Sequence, residues 1–241
     1  MVSDTATKEL HEFAHVLEIP RIAFQGDHYD LHEIAREAAI NLGARRVTSR
    51  EIVGALRATG LRRGPSLVRR GLSGVVNLPT PALTTDRLIL RQWQPNDVAA
   101  LAEIDARLAS DRPQAAIDRH AVTLALRGFG EWAVTFRDSK VLIGSLGLTP
   151  APSGVFERPM MQITGYIASA KPGMGLGQEG CRHVLEYGFS TLELDEIVAV
   201  ISVENERALS GAHNLGMQLS PGLPLLRGHR VFLAKRSDHI F

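Results

Sequence analysis

Residues 171–180 read KPGMGLGQEG, with glycines at 173, 175, 177 and 180 between a strand-like run, QITGYIA (162–168), and a helix-like run, CRHVLEYGF (181–189). Glycine inside regular structure costs about 0.5–1 kcal/mol of backbone entropy. Four of them at a strand-to-helix handover exceed what a flexible surface turn needs, and they point to a second molecule lying against the backbone. Gly175, Gly177 and Gly180 spell Gly-x-Gly-x-x-Gly, the dinucleotide pattern. Here, however, Lys171, Pro172 and Gly173 separate the strand from that pattern, and residues 181–241 hold too few βα units to complete a dinucleotide-binding fold. No Gly-Lys-Ser/Thr follows, which excludes a triphosphatase loop. The remaining reading is a diphosphate cradle. Free N–H groups and the positive end of a helix dipole bind phosphate without a lysine. A ligand whose reactive end reaches back along the preceding strand suits this layout, and coenzyme A is such a ligand.

Three blocks organise the chain. Residues 1–62 predict a small helix-rich domain. Its helices run over TATKELHEFAHVLE, capped by Ser3 or Asp4 and stopped by Pro20, over LHEIAREAAINLG, and over SREIVGALRATG with Ser49 as cap. RIAFQ and ARRVT read as short strands. Residues 63–83, rich in Gly, Pro and Ser, read as a linker. From residue 84 to 241, strands are expected over TTDRLILRQWQ, EWAVTFRD, VLIGSLGLTP, QITGYIASA, EIVAVISV and RVFLAK. Helices are expected over NDVAALAEIDARLA, DRPQAAIDRHAVTLALRG, the segment after the glycine loop, and NERALSGAHNLG. Their irregular alternation predicts an α+β (mixed α/β) fold rather than a regular doubly wound sheet.

The third block resembles the GCN5-related N-acetyltransferases, in the branch typified by ribosomal-protein N-terminal acetyltransferases. The resemblance lies in TTDRLILRQWQPNDVAALAEI, SKVLIGSLGL, ITGYIASAKPGMGLGQEGCRHVLEYGF and ISVENERALSGAHNLGM, and spans residues 84–235. It implies an acyl-CoA N-acyltransferase fold, a splayed and mostly antiparallel sheet flanked by helices. It also implies direct attack of a primary amine, on a protein N-terminus or a small molecule, on acetyl-CoA as cosubstrate. Carried over, the backbone of Tyr166, Ile167 and Ala168 would meet pantetheine, with the Ile167 N–H polarising the thioester oxygen. Gly173, Met174, Gly175, Leu176, Gly177 and Gln178 would hold the diphosphate, and Asn205 would orient the cofactor.

The proton chemistry departs from that pattern. The family's usual glutamate base falls on Ile163, beside Gln162, and neither titrates as a base. The usual tyrosine acid, seven residues after the motif asparagine, falls on Ala212, and a serine carried by some members falls on Ala208. Ser210 and His213 are the nearest substitutes. Glu131, Glu157 and His120 stand behind them, acting through water. An α-amine, of pKa about 7.8, needs less help than a lysine-type amine near 10.4. An enzyme relying on proximity and the oxyanion donor is therefore expected, with an acyl-CoA-binding regulatory module of little or no turnover as the alternative and a dinucleotide oxidoreductase third. Cys181 shares a helix face with Val184, Leu185 and Phe189 and reads as a core residue.

In the first block His11 and His15 form H-E-x-x-H, but a plain amphipathic helix explains them, GDHYD (26–30) reads as an aspartate-capped turn, and no metal is expected. VSDTATKELHEFAHVLEIPRIAFQGDHYDLHE resembles a small bacterial domain family without assigned function. Members of that family carry about one more strand and loop ahead of this point, so the block is expected to be partial. Arginines 45, 46, 50, 57, 62, 63, 69 and 70 face a single acid, Glu51, and mark the Arg45–Arg70 stretch as a candidate for nucleic-acid or ribosome contact. The net charge of +1 implies no further electrostatic partner, and one cysteine excludes an intrachain disulfide. No apolar run reaches the ~20 residues that span a bilayer. A cytoplasmic, non-membrane protein, monomer or homodimer, is expected.

Overall fold

The computed structural model describes residues 1–62, 69–104, 113–152, 155–156, 158–168, 174–220 and 228–239. The chain divides into two compact units, Met1–Arg70 and Gly71–Phe241.

The first unit holds α1 (Thr7–Val16), a 3-10 turn (Arg21–Ala23), α2 (Glu33–Asn41) and α3 (Ser49–Ala58). Leu10 and Ala14 on the buried side of α1 pack with Phe24 and Tyr29. Ser3 does not cap α1 directly. Its Oγ accepts from the N–H groups of Thr5 and Ala6 and so turns the chain into the helix. RIAFQ is not a strand. Pro20 fixes the entry, three residues wind into the 3-10 turn, and only Phe24 pairs, with Tyr29 across the GDHYD turn. ARRVT forms no strand. The cap of α3 lies one residue before Ser49. Thr48 Oγ1 accepts from Glu51 N and the Glu51 carboxylate accepts from Thr48 N at 2.7 Å, a capping box. The described arginines of the 45–70 stretch are all exposed.

The segment read as a linker is partly structured. Within residues 71–83, α4 (Leu72–Val75) buries Leu72 and Val75, and the Leu72 amide donates to Asp118 Oδ1 at 2.9 Å. Gly71 permits this. Its φ is +54°, and a Cβ there would strike the Asp118 carboxyl at 2.6 Å.

The second unit is built on β1 (Leu83–Thr84), β2 (Leu88–Arg91), α5 (Asp97–Ile104), α6 (Pro113–Arg127), β3 (Glu131–Phe136), β4 (Leu142–Pro150), β5 (Met161–Ile167), α7 (Leu176–Ser190), β6 (Glu196–Ser202), α8 (Glu206–Asn214), β7 (Gln218–Leu219) and β8 (His229–Lys235). The strands form one sheet in the order β1-β2-β3-β4-β5-β6-β8-β7. Its pairs are antiparallel except β5–β6, which α7 connects in parallel. Burying Val184, Leu185 and Phe189 of α7 on Leu88, Leu146, Leu148 and Ile197 makes the core of one face. Gly180 lets α7 lie that close, since a Cβ there would run into Leu146 Cδ1. Packing of α5 and α6 covers the other face, and Arg91 anchors α5 through a two-pronged bond to Asp97 at 2.7 and 2.9 Å.

Candidate active site

Strands β5 and β6 pair at only two positions, Met161 with Ile197 and Gln162 with Val198, and then part. The gap is lined by Ile163–Ile167 on one side and Ala199–Ser202 on the other. It opens into a cavity of about 890 Å³ that α7 and α8 close with Gly175, Gly177, Gln178, Asn205, Ala208 and Ser210.

Hydrogen bonding on β5 determines which of its amides face the gap. Ala168 N donates to Ile143 O at 2.7 Å. Because an antiparallel ladder alternates, Tyr166, opposite Ser145, turns its N–H the same way, toward β4. The amides of Gly165 and Ile167 point to the gap. This corrects the expectation for Ala168 and Tyr166, whose backbone donors serve the sheet.

The second feature is the start of α7. Its N-cap, Gly175, takes the left-handed conformation (φ +70°) and carries no capping side chain. Glu179 N is the first to find an intrahelical acceptor, Gly175 O at 2.9 Å. The amides of Leu176, Gly177 and Gln178 are left without a helical partner at the positive end of the helix. Space around them is open. Among the described residues, a Cβ on Gly177 would meet no atom within 4 Å, and one on Gly175 only Arg87 Nη2 at 3.9 Å. The two glycines thus leave a cradle that side chains would fill, which fits a diphosphate. Gly173 lies outside the described residues, as does Glu157.

An acid in the first turn would repel a phosphate, and Glu179 sits there. Its carboxylate is drawn away and neutralised. Arg87 donates from Nε and Nη2 to Oε2, each at 2.6 Å, and from its backbone N to Oε1 at 2.9 Å, while Thr85 Oγ1 also donates to Oε1. Burial pushes the Glu179 carboxyl up, and the bonds from Thr85 and Arg87 outweigh it and hold it below the ordinary carboxylate range. Arg87 Nη1 also donates to Met174 O at 2.9 Å, which pins the end of the loop.

The remaining residues sort as follows. Asn205 lines the cavity, but its Oδ1 accepts from Ala208 N at 3.1 Å and caps α8. Ser210 lines the cavity as well. His213 does not. It is exposed on α8 with its ring edge-on to Phe232 at 4.9 Å, outside the cavity lining. Cys181 borders the cavity, but burial pushes its thiol up to about 12, which leaves no thiolate near neutral pH. In the first unit His15 is exposed, whereas His11 turns inward to the Tyr29 hydroxyl at 2.9 Å; burial, with Arg21 nearby, lowers His11 to about 4. The two histidines of H-E-x-x-H therefore do not converge.

Sequence reasoning underrated one group. Glu131 on β3 receives Ser145 Oγ at 2.8 Å and Thr164 Oγ1 at 2.9 Å, with His120 Nε2 4.0 Å away. Only the hairpin register brings the group together: Glu131, Gly147 and Thr164 are consecutive partners across β3, β4 and β5, and Gly147 has no side chain to separate the outer two.

A mostly antiparallel sheet whose one parallel pair parts beside an uncapped helix N-terminus is the acyl-CoA N-acyltransferase fold. Residues 87–218, over half of the chain, match the acetyltransferase (GNAT) domain family, and the chain belongs to that family. Residues 1–59 match a family described as a protein of unknown function, DUF4031. Among relatives, an uncharacterized N-acetyltransferase of Bacillus subtilis, YoaA, is 28% identical over 152 residues, covering 57% of this chain and 83% of its own. An acetyltransferase from Agrobacterium tumefaciens shares the fold with a TM-score of 0.55 at 20% identity, covering 65% of this chain and 95% of that one. The ribosomal-protein-S5-alanine acetyltransferase of Vibrio fischeri does so with a TM-score of 0.50 at 14% identity, covering 66% and 98%. Among the described residues no helix is long and apolar enough to cross a membrane.

Proposed function

We propose that the second unit transfers an acetyl group from acetyl-CoA to a primary amine by direct attack. The observation that carries this reading is the gap between β5 and β6, which runs from the Ile167 amide to the open amides of Leu176, Gly177 and Gln178. Those three amides hold the diphosphate. Ile167 N–H faces the thioester oxygen and stabilises the charge that develops there as the amine adds. Holding both reactants in one gap supplies about 7–11 kcal/mol of the barrier reduction. Protein N-terminal α-amines, which give up a proton more readily than a lysine-type amine, suit a site whose base and acid positions, as the resemblance places them, are Ile163 and Ala212.

Those same two residues favour a second reading, an acyl-CoA-binding regulatory module. Thermal denaturation with acetyl-CoA, free CoA and NAD tests the binding that both share. Acetyl-CoA or CoA at 100 times its dissociation constant adds about 2.7 kcal/mol to stability, and NAD adds nothing. Stabilisation by NAD alone rejects both readings. Release of free thiol from acetyl-CoA in the presence of peptides with free N-termini then supports the enzyme, and its absence across a panel of amines supports the regulatory module.

A further inference from the structure

Resting on the acetyl-transfer reading, we propose that Glu131 is the proton acceptor for the incoming amine, acting through the Thr164 hydroxyl on the cavity wall.

Three observations support it. Thr164 belongs both to the cavity lining and to the Glu131 cluster, so it links the carboxylate to the place where an acceptor sits. Directly opposed residues of an antiparallel sheet share a face. Glu131, Thr164, Ser145 and Tyr166 therefore lie together, on the face opposite the one that α7 covers with Leu146 and Leu148. That is the face α5 and α6 pack on, and of the Glu131 carboxylate and its two hydroxyl partners it is Thr164 that borders the cavity, away from the diphosphate cradle. The carboxylate is bonded by two neutral hydroxyls. Its side chain is 17% exposed, and among the described residues no lysine or arginine stands within ion-pair distance. His120, on α6, is the titratable group beside it. Burial lowers the His120 pKa, the charge of Glu131 raises it and that of Arg119 lowers it, with the balance downward. The imidazole is thus neutral near pH 7 and adds no positive charge beside Glu131.

The step balances as follows. An ammonium acceptor gives one proton to Thr164 Oγ1 as the threonine's own proton passes to Glu131 Oε1. Thr164 precedes Ile167 by three residues, about 10 Å of strand, so a bridging water completes the path. The freed nitrogen lone pair forms the C–N bond at the acetyl carbon. The C–S bond breaks with its electron pair on sulfur, the second nitrogen proton neutralises the thiolate, and Glu131 returns its proton to solvent. The bridging water is the group in contact with the acceptor; Thr164 holds that water and relays the proton, and Glu131 positions Thr164 and stores the proton. Ile163, at the position where the family places its base, stays apolar because the carboxylate arrives from another strand.

The test compares wild type, Glu131→Gln, Glu131→Asp and Thr164→Val with two acceptors, a peptide α-amine and the ε-amine of a blocked lysine, from pH 6 to 10. Fold is checked by thermal denaturation and CoA affinity by titration. At pH 7 Glu131→Gln is expected to lose about 10²-fold in kcat, within the range of general-base contributions, with CoA affinity unchanged. The loss shrinks as pH approaches the amine's own pKa, and it is larger for the ε-amine than for the α-amine. Glu131→Asp recovers part of the rate. Thr164→Val shows a smaller loss with the same pH signature, and it carries the test if Glu131→Gln does not fold. No loss, or a loss independent of pH and of acceptor basicity, overturns the proposal. A wild-type protein that acetylates neither amine sinks the acetyl-transfer reading and this proposal together, whereas an active wild type whose profile survives Glu131→Gln sinks this proposal alone.

Discussion

On the proposed reading, cofactor and acceptor are held by different parts of the chain. The cofactor half is backbone: the Ile167 amide and the amides of Leu176, Gly177 and Gln178, drawn from a stretch of twelve residues, 167–178. The acceptor half is side chain: Glu131, Ser145 and Thr164, from three different strands, of which Thr164 borders the cavity. Backbone recognition tolerates nearly any side chain except one that fills the space, so substitutions there act through shape. Side-chain recognition fails by deletion of a single polar group. On that reading the cofactor half can stand as the resemblance implies while the acid and base positions the resemblance implies hold Ala212 and Ile163.

The largest effect should follow from removing a backbone donor. Ile167→Pro deletes the N–H that faces the gap without breaking a bond to β4, and turnover should fall 10²–10³-fold, about 2.7–4 kcal/mol, with CoA binding within a few-fold of wild type. Equal turnover in steady-state assays would show that the oxyanion is stabilised elsewhere. Next is Gly177→Val. The fold has room for the side chain, so melting temperature should hold while CoA affinity drops about 10²-fold, or about 2.7 kcal/mol. Calorimetry showing undiminished affinity would break the claim that the open space is the diphosphate's.

Side-chain changes in the cofactor half should matter less. Arg87→Ala releases Met174 and leaves Glu179 unneutralised beside the cradle, and CoA affinity should fall about 10-fold, about 1.4 kcal/mol. The pH dependence has a definite sign. The Glu179 carboxyl is held below its ordinary value, so the stability it contributes is present above the ordinary carboxylate pKa and is lost as pH falls through the lower folded value. Acid melting of the wild type should show this loss below about pH 4, and Arg87→Ala should move it upward. The smallest effect belongs to Ser145→Ala. Removing one of the two hydroxyl donors to Glu131 should lower turnover only a few-fold, within the ~0.5–1.5 kcal/mol of a single hydrogen bond, and leave CoA titration curves unchanged.

The same contrast governs what could be read from the sequence. The glycine loop was legible because its signal is local: a strand, four glycines and a helix in sequence order report their own geometry. The helices and strands around it followed from period and turn chemistry. The Glu131 cluster was not legible as a site, since it depends on the register of two hairpins, and one residue of slip would move each side chain to the other face. His213 misled for the opposite reason. Sequence distance from Asn205 placed it near the chemistry, yet helical rotation on α8 turns it to Phe232. RIAFQ has strand composition but finds a single pairing partner, so the 3-10 turn wins. The linker expected over residues 63–83 was shortened by α4, whose four residues show no period and are held by burial of Leu72 and Val75.

The central claim is that the Ile167 amide of β5 and the open amides at the start of α7 bind the cofactor. Hydrogen exchange of individual amides, measured with and without CoA or acetyl-CoA, tests it most directly. Saturating CoA should slow exchange at Leu176, Gly177 and Gln178, and acetyl-CoA should also slow Ile167, while Ala168, already bonded to Ile143, changes little. Unchanged exchange at Leu176, Gly177 and Gln178 under saturating CoA would contradict the account.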